Sequence, residues 1–315
     1  MTTIHTIASG SSGNALAFSW DGGNLLLDAG ISCRRILSAL GALGLSAADL
    51  DGILITHTHA DHVSGLQTLL KRTSCPIYAS ERACRELDYR FAGILDRLFP
   101  LHMCGSVILG GDTEPDVCVD PDSGADGVRK PDGKGKLCRV TAVPASHDAP
   151  GTCGWRLDTA DGGFAFLTDT GVVTEEARAL LPGVRFALLE ANHDIEAVRS
   201  GPYPYPLKQR ILGPWGHLCN EDAGAFAADL VRAGAERIVL AHLSRENNTP
   251  SMAESAVRRT LEGAGTAAEL YVAPRDGVWL AYQSGSLPVS VEGTGLPDRM
   301  AVPGFPVGEA ALCGG

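Results

Sequence analysis

The stretch Thr56-His57-Thr58-His59-Ala60-Asp61-His62 constrains this chain more than any other part of it. It closes an apolar, strand-like run at residues 52–56 and opens an amphipathic stretch at 62–71, so three imidazoles and a carboxylate are packed at the carboxyl end of a strand. Neutral imidazole and carboxylate are the donors that borderline divalent ions such as Zn2+ prefer, and a tight loop can aim alternate side chains at two neighbouring ions. A solvated, His-rich turn is the bland account; four donor side chains at this spacing argue against it.

Other strand-like runs also lead into residues of ligand type. The run 139–143 leads to His147, 163–168 to Asp169, 185–190 to His193 and 237–241 to His242. If these strands lie side by side, their ends meet along one rim, where irregular backbone presents side chains held by a rigid scaffold. Taken singly, His147 or His242 reads as a capped or surface histidine; their matching positions make them candidates for the missing ligands. Further runs at 24–28 and 277–282 imply one large sheet or two packed sheets. Helices are predicted at 32–43, 62–71, 174–181, 220–233 and 251–262, with capping-box spacing at Ser251 and Glu254 and acidic Glu221 and Asp222 after Asn220.

Composition narrows the function classes. With 44% apolar residues in 315, the chain can bury a sizeable core. Its formal charge of -11 gives no global basic field, so any polyanion must be gripped by a local patch. The opening MTTIHTIASGSSGN lacks the regions of a signal peptide, and no apolar run approaches the about 20 residues that span a bilayer, so a cytoplasmic protein without membrane contact is expected. Nine scattered cysteines without a C-x-x-C pair fit reduced thiols better than disulfides or a cysteine-rich zinc site. No internal repeat or second core is visible. The expectation is one domain over 1–283, with a flexible insertion at 110–137 and a Gly- and Pro-rich tail at 284–315. Nothing in the composition sets an oligomeric state.

On these residues the chain resembles the metallo-β-lactamase superfamily over most of its length, from Ile7 to about Tyr282, the H-x-H-x-D-H motif being the most specific element. The resemblance implies an α/β (α+β) fold, an αββα sandwich of two packed mixed sheets flanked by helices, with metals at one edge. It also implies two divalent ions per chain, Zn2+ first and Mn2+ or Fe2+ as alternatives. His57, His59 and His147 would hold one ion, Asp61, His62 and His242 the other, and Asp169 would bridge them, with a shared hydroxide as nucleophile. Asp169, in Thr168-Asp169-Thr170-Gly171, discriminates within the superfamily: true β-lactamases typically lack it, whereas glyoxalase II and tRNA-processing phosphodiesterases have it. Flavo-diiron oxidases usually carry an acidic residue where His59 stands, so neither antibiotic degradation nor oxygen reduction is implied.

A narrower resemblance is to the YycJ/WalJ group. It rests on Ala8-Ser9-Gly10-Ser11-Ser12-Gly13-Asn14, Glu190-Ala191-Asn192-His193-Asp194, Gly216-His217-Leu218-Cys219-Asn220 and His242-Leu243-Ser244-Arg245-Glu246-Asn247-Asn248. This similarity implies a phosphodiesterase, a 5′-to-3′ exonuclease on DNA, of a group associated with DNA repair and cell-wall regulation. Cys219 departs from the group's expected small hydroxyl residue.

Other candidates keep two readings each. Ser9, Ser11, Ser12 and Asn14 could cradle a phosphate or form a tight turn. Asn247 and Asn248 could touch substrate or cap backbone. Asp61 and Asp169 would orient the attacking group, while His217, with His193 as rival, would donate a proton to the leaving oxygen or merely orient a ligand. Tyr203, Tyr205, Lys208 and Arg210 interleave aromatic and basic residues as a strand-binding surface would, but Pro202, Pro204 and Pro206 read as a stiff loop whose tyrosines pack on the body. Two competing functions use the same residues: hydrolysis of a thioester (glyoxalase II-like) or of a small-molecule phosphodiester, and a non-catalytic regulatory protein with a retained metal site. The apparently complete ligand set counts against the latter, because a structural site closes with four ligands.

Overall fold

Alternation along the strands decides the layering. In β2 (Ala15–Trp20), Leu16, Phe18 and Trp20 face one way and Ala15 and Ala17 the other; in β11 (Gly162–Leu167), Phe164 and Phe166 oppose Ala165 and Leu167. The first set from each strand meets between two sheets, where Phe18 packs edge-on against Phe164 at 5.5 Å. The second set turns outward against helices. The computed structural model describes residues 1–110, 116–119 and 136–285, and Met1–Gly285 form one compact unit.

The first sheet runs β15-β1-β2-β3-β4-β5-β6, with β1 (Thr3–Ala8), β3 (Gly23–Leu27), β4 (Gly52–Leu54), β5 (Ile77–Ser80), β6 (Leu98–Leu101) and β15 (Asp276–Gln283). The second runs β14-β13-β12-β11-β10-β9-β7-β8, with β7 (Ser106–Leu109), β8 (Asp116–Val119), β9 (Cys138–Pro144), β10 (Cys153–Thr159), β12 (Phe186–Glu190), β13 (Arg237–Ala241) and β14 (Glu269–Val272). Helices α1 (Cys33–Ala42), α2 (Ala60–Val63), α3 (Leu66–Leu69) and α4 (Glu81–Arg90) belong to the first half. Helices α5 (Glu175–Leu180), α6 (Ile195–Ser200), α7 (Tyr205–Leu212), α8 (Asn220–Arg232) and α9 (Pro250–Gly263) belong to the second. Ile36 and Leu40 of α1 join the outer cluster of the first sheet; Phe226 of α8 and Val257 of α9 join that of the second. Two packed sheets flanked by helices are the expected αββα sandwich.

A repeat invisible in the sequence is visible here. In the first half β1, β2 and β3 are antiparallel and β4, β5 and β6 are added in parallel; in the second, β9, β10 and β11 are antiparallel and β12, β13 and β14 are added in parallel. The expectation of no internal repeat is therefore corrected at the level of topology.

Three local expectations also change. The helix expected at 62–71 is two short helices, because Gly65 lies between them with a Cβ position only 2.0 Å from the Ile31 carbonyl, and its N–H bonds the Ala29 carbonyl. Helix α9 is capped not at Ser251 but at Thr249, whose hydroxyl accepts from the Met252 N–H. The supposed stiff loop with Tyr205, Lys208 and Arg210 is helix α7, since Pro206 falls in its first turn where no N–H is needed. Of the expected insertion, Gly110, residues 116–119 and residues 136–137 are described, and 116–119 pair with β7; the remainder, and the tail beyond Gly285, lie outside the described residues.

Candidate metal centre

The loop after β4 is tied on both sides. Thr56 donates its N–H and its hydroxyl to the Asp28 carboxylate, and its carbonyl accepts from the Cys153 N–H of β10 in the opposite sheet. His57 is thereby fully buried at the seam between the sheets. Helix α2 then turns Asp61 and His62 inward. Its backbone is welded to the first sheet, since the Asn14 N–H bonds the Asp61 carbonyl and the Ala29 N–H bonds the His62 carbonyl. The second sheet contributes single residues: His147 after β9, Asp169 after β11 and His242 after β13.

These side chains converge. The donor atoms of His57, His59 and His147 lie within 4.8 Å of one another, as do those of Asp61, His62 and His242, and those of His57, His62 and Asp169. His59 Nδ1 is 3.1 Å from His57 Nε2 and 3.3 Å from His147 Nε2. Asp169 stands between the triads, its Oδ2 3.3 Å from His62 Nε2 and its Oδ1 3.8 Å from His147 Nε2.

Hydrogen bonds behind the rings determine which nitrogen faces the centre. His147 Nδ1 donates to the Gly216 carbonyl at 2.9 Å, His62 Nδ1 to Asp28 at 2.7 Å and His242 Nδ1 to Glu190 at 2.9 Å. In each neutral ring Nε2 then carries the lone pair. Lone pairs gathered this closely repel unless a cation lies among them. Asp169 Oδ2 and His242 Nε2 are buried without a hydrogen-bond partner, a costly condition that a bound cation relieves. The His and Asp donors suit borderline divalent ions, and the residues therefore fit two such ions.

The carboxylates around the rings call for positive charge at the centre, whether a proton or a metal ion supplies it. Burial opposes charge on His62, yet Asp28 and Asp169 outweigh it and raise its pKa well above the usual histidine value. Burial likewise opposes ionisation of Asp169, but His242 and His62 hold it well below the usual carboxylate range. His57 goes the other way: burial, reinforced by His62, keeps it neutral.

Two carboxylates that the sequence reading left without a role emerge as anchors. Asp28 holds His62 and Thr56, as above. Glu190, fully buried, accepts from His242, His217, the Thr170 N–H and the Leu218 N–H, so its oxygens are spent on orientation. The signal was present: the runs 24–28 and 185–190 each end in an acid, much as the run 163–168 leads directly into Asp169. Among the described residues Asp28, Asp169 and His242 share a left-handed backbone, at φ 58°, 56° and 55°, a conformation non-glycine residues rarely adopt and that clusters at functional sites.

A sequence profile described as the beta-lactamase superfamily domain matches residues 23–243. The chain is 33% identical over 270 residues to exodeoxyribonuclease YycJ of Bacillus anthracis, covering 84% of this chain and 92% of the relative. It is equally 33% identical over 252 residues to exodeoxyribonuclease WalJ of Streptococcus pneumoniae serotype 2, covering 78% and 83% respectively. The chain belongs to the beta-lactamase superfamily, in its YycJ/WalJ branch. The superfamily fold is matched by the crystal structure of the metallo-beta-lactamase fold protein YhfI from Bacillus subtilis, with a TM-score of 0.58 at 16% identity over 89% of this chain and all of that one.

Around this superfamily centre the other expected residues divide. Ser9 Oγ accepts from the His242 N–H, and Asn14 Nδ2 lies 3.1 Å from His62 Nε2 while its Oδ1 accepts from the Gly10 N–H, so both brace the centre. Ser11 and Ser12 are exposed. Asn248 is buried with its amide engaged by Asn220, the Ala191 carbonyl and the Thr249 N–H; it braces loops and has nothing left for a substrate. Asn247 is buried, with Oδ1 unpartnered. His217 keeps Nδ1 on Glu190 at 2.8 Å and leaves 23% of its side chain exposed, its ring 5.0 Å from that of His147 and 5.4 Å from that of His242. His193 is almost fully buried and burial lowers its pKa to about 4. Cys219 supplies the cap of α8, its Sγ accepting from the Asp222 N–H at 3.4 Å. Outside the centre, Arg199, Tyr205, Lys208, Gln209 and Leu212 line a groove of about 440 Å³, with Tyr205 73% exposed; Tyr203 is half-buried, and Arg210 pairs with Asp148, which also approaches His59 and His147. No helix among the described residues is long and apolar enough to cross a membrane.

Proposed function

We propose that this chain is a dinuclear metal-dependent phosphodiesterase that removes nucleotides from DNA in the 5′-to-3′ direction. The observation that carries the reading is Asp169, buried with one oxygen unpartnered between two donor triads, each assembled from both sheets. In this reading His57, His59 and His147 hold one ion, Asp61, His62 and His242 the other, and Asp169 both. Zn2+ is the proposed metal for so imidazole-rich a set, with Mn2+ and Fe2+ as alternatives. Such ions supply an activated water at neutral pH and positive charge opposite the phosphoryl oxygens.

The chain's own residues do the rest. Asp28, Glu190 and the Gly216 carbonyl hold the rings in register. His217, partly open and hydrogen-bonded to Glu190, is the proposed donor of the proton to the leaving oxygen; burial keeps His193 neutral and out of reach. DNA is the proposed substrate because the YycJ and WalJ relatives, matched over most of their length, bear the name exodeoxyribonuclease. We further propose that residues 1–283 act as one hydrolase domain and that the cytoplasm is its compartment.

The test is elemental analysis of the purified protein followed by assays on 5′-phosphorylated DNA, RNA and S-lactoylglutathione. The expected result is about two divalent ions per chain and metal-dependent release of nucleotides from DNA. Absence of bound metal, or hydrolysis of the thioester alone, overturns the reading.

A further inference from the structure

The loop at 9–14 has an outer face that the metal centre does not use. Its two ends are fixed: Ser9 N–H bonds the Arg275 carbonyl, Ser9 Oγ takes the His242 N–H, and Asn14 N–H bonds the Asp61 carbonyl. Between them Gly10 and Gly13, at φ 142° and 149°, reverse the chain. The Gly10 N–H goes to Asn14 Oδ1 and the Gly13 N–H to the Gly10 carbonyl, whereas the N–H groups of Ser11 and Ser12 meet no acceptor among the described residues. Consecutive free amides on a glycine-flanked reversal form a concavity suited to an anion.

Two guanidinium groups stand over this loop. Arg245, exposed and three residues beyond His242, donates from Nη2 to Ser12 Oγ at 3.0 Å. Arg275 donates from Nη2 to the Ser244 carbonyl at 2.8 Å, and its Nη1 is buried without a partner, 3.6 Å from where a Cβ on Gly10 would stand. Neither meets a carboxylate within ion-pair distance among the described residues, although Arg35, Arg178, Arg185, Arg210 and Arg237 each do. In a chain of net charge -11, two adjacent arginines without a contact ion pair among the described residues, beside free amides, are a built imbalance. Burial and then the Arg245 charge lower the pKa of Arg275, against a weaker opposing pull from Asp276, which places the two arginines in one field.

We propose that Ser11, Ser12 and Arg245, with Arg275 as a positive charge behind the loop, bind the terminal 5′-phosphate of the strand being degraded. Two positive charges match a dianionic phosphomonoester better than the monoanionic diester inside a strand, and a planar guanidinium grips phosphate oxygens in pairs. The loop's two ends are tied to His242 and Asp61 of the second donor triad, so an end bound on this loop would be held one short turn from the candidate centre. The proposal rests on the DNA phosphodiesterase reading and names the end that reading requires.

The experiment measures binding, by fluorescence anisotropy, of the metal-loaded protein to phosphorothioate oligonucleotides, which resist cutting. Three ends are compared: 5′-phosphate, 5′-hydroxyl and 3′-phosphate. Wild-type protein is expected to prefer the 5′-phosphate about tenfold or more, and Arg245→Ala to lose that preference while Arg245→Lys keeps part of it. Arg245 is exposed and has one hydrogen bond to give up, and an unchanged thermal midpoint verifies that each variant is folded. Equal binding of the three ends, or a preference that survives Arg245→Ala, overturns the subsite and leaves the DNA reading standing. Failure to bind any of the oligonucleotides overturns both.

Discussion

The two halves of the sandwich share a strand order and put the same position to different use. The third strand of each half, β3 and β11, is followed within two residues by an aspartate in the left-handed region, Asp28 or Asp169, and two residues further on by Gly30 or Gly171. Both glycines permit contact with a neighbouring carbonyl: a Cβ would fall 1.6 Å from that of Asp61 in the first half and 2.4 Å from that of Pro214 in the second. Yet Asp28 is satisfied by Thr56 and His62, whereas Asp169 keeps an oxygen unpartnered. Strand β4 runs on into a loop carrying four donors; its counterpart β12 ends in Glu190, which only orients. One scaffold position thus yields an anchor or a candidate ligand according to whether its neighbours exhaust its hydrogen-bonding capacity.

Exchanging the environments of the two aspartates is the sharpest way to break the comparison. Asp169→Ala removes the group shared by both triads, and kcat/KM should fall by about 10³-fold or more, with loss of bound metal seen by elemental analysis. Asp28→Asn leaves the candidate donors in place and loosens only the anchoring of His62 and Thr56, so a smaller loss of about 10- to 100-fold in activity or metal affinity is expected. Equal losses in the two variants would mean that the halves are not functionally distinct. Glu190→Gln, the same kind of change in the second half, should fall in the range of Asp28→Asn, about 10- to 100-fold, and shift the pH profile that His217 governs.

Because the donors come from both sheets, chelation should act on stability as well. Treatment with EDTA is expected to lower the thermal midpoint by at least several degrees, and no shift would show that the centre does not tie the halves together. The smallest effect concerns the α8 cap: Cys219→Ser replaces a weak sulfur acceptor by a hydroxyl and should raise stability by about 0.5–1 kcal/mol in denaturant unfolding.

The same comparison explains what was legible from residues alone. The first half announces its candidate ligands because one strand-to-helix junction carries four of them within six positions. The second supplies His147, Asp169 and His242 one at a time, and they become meaningful only when strand ends are set side by side. Asp28 and Glu190 went unassigned because a carboxylate at a strand end has no distinctive neighbours in sequence; what marks them is the donors that reach them from elsewhere. The topological repeat is similarly hidden, since Asp28-Ala29-Gly30-Ile31 and Asp169-Thr170-Gly171-Val172 share only their aspartate, their glycine and a β-branched residue. Strands β1, β2 and β10 escaped notice because much of each is buried on both faces, which erases the alternation that reveals a half-exposed strand. Helix α7 was obscured by its prolines, although one of them stands where a helix tolerates it.

The pairing of β15 with β1, which sets Thr3 opposite Gln283, bears on how the protein is made. A ribosome delivers β1 long before β15, so the first sheet stays open at one edge until the later strand has been made. His242 likewise emerges long after His57. Closure therefore depends on contacts remote in sequence, which form slowly. Metal acquisition is then a late event in the life of the nascent chain, and a stalled or truncated product would carry the H-x-H-x-D-H loop without the residues that complete it.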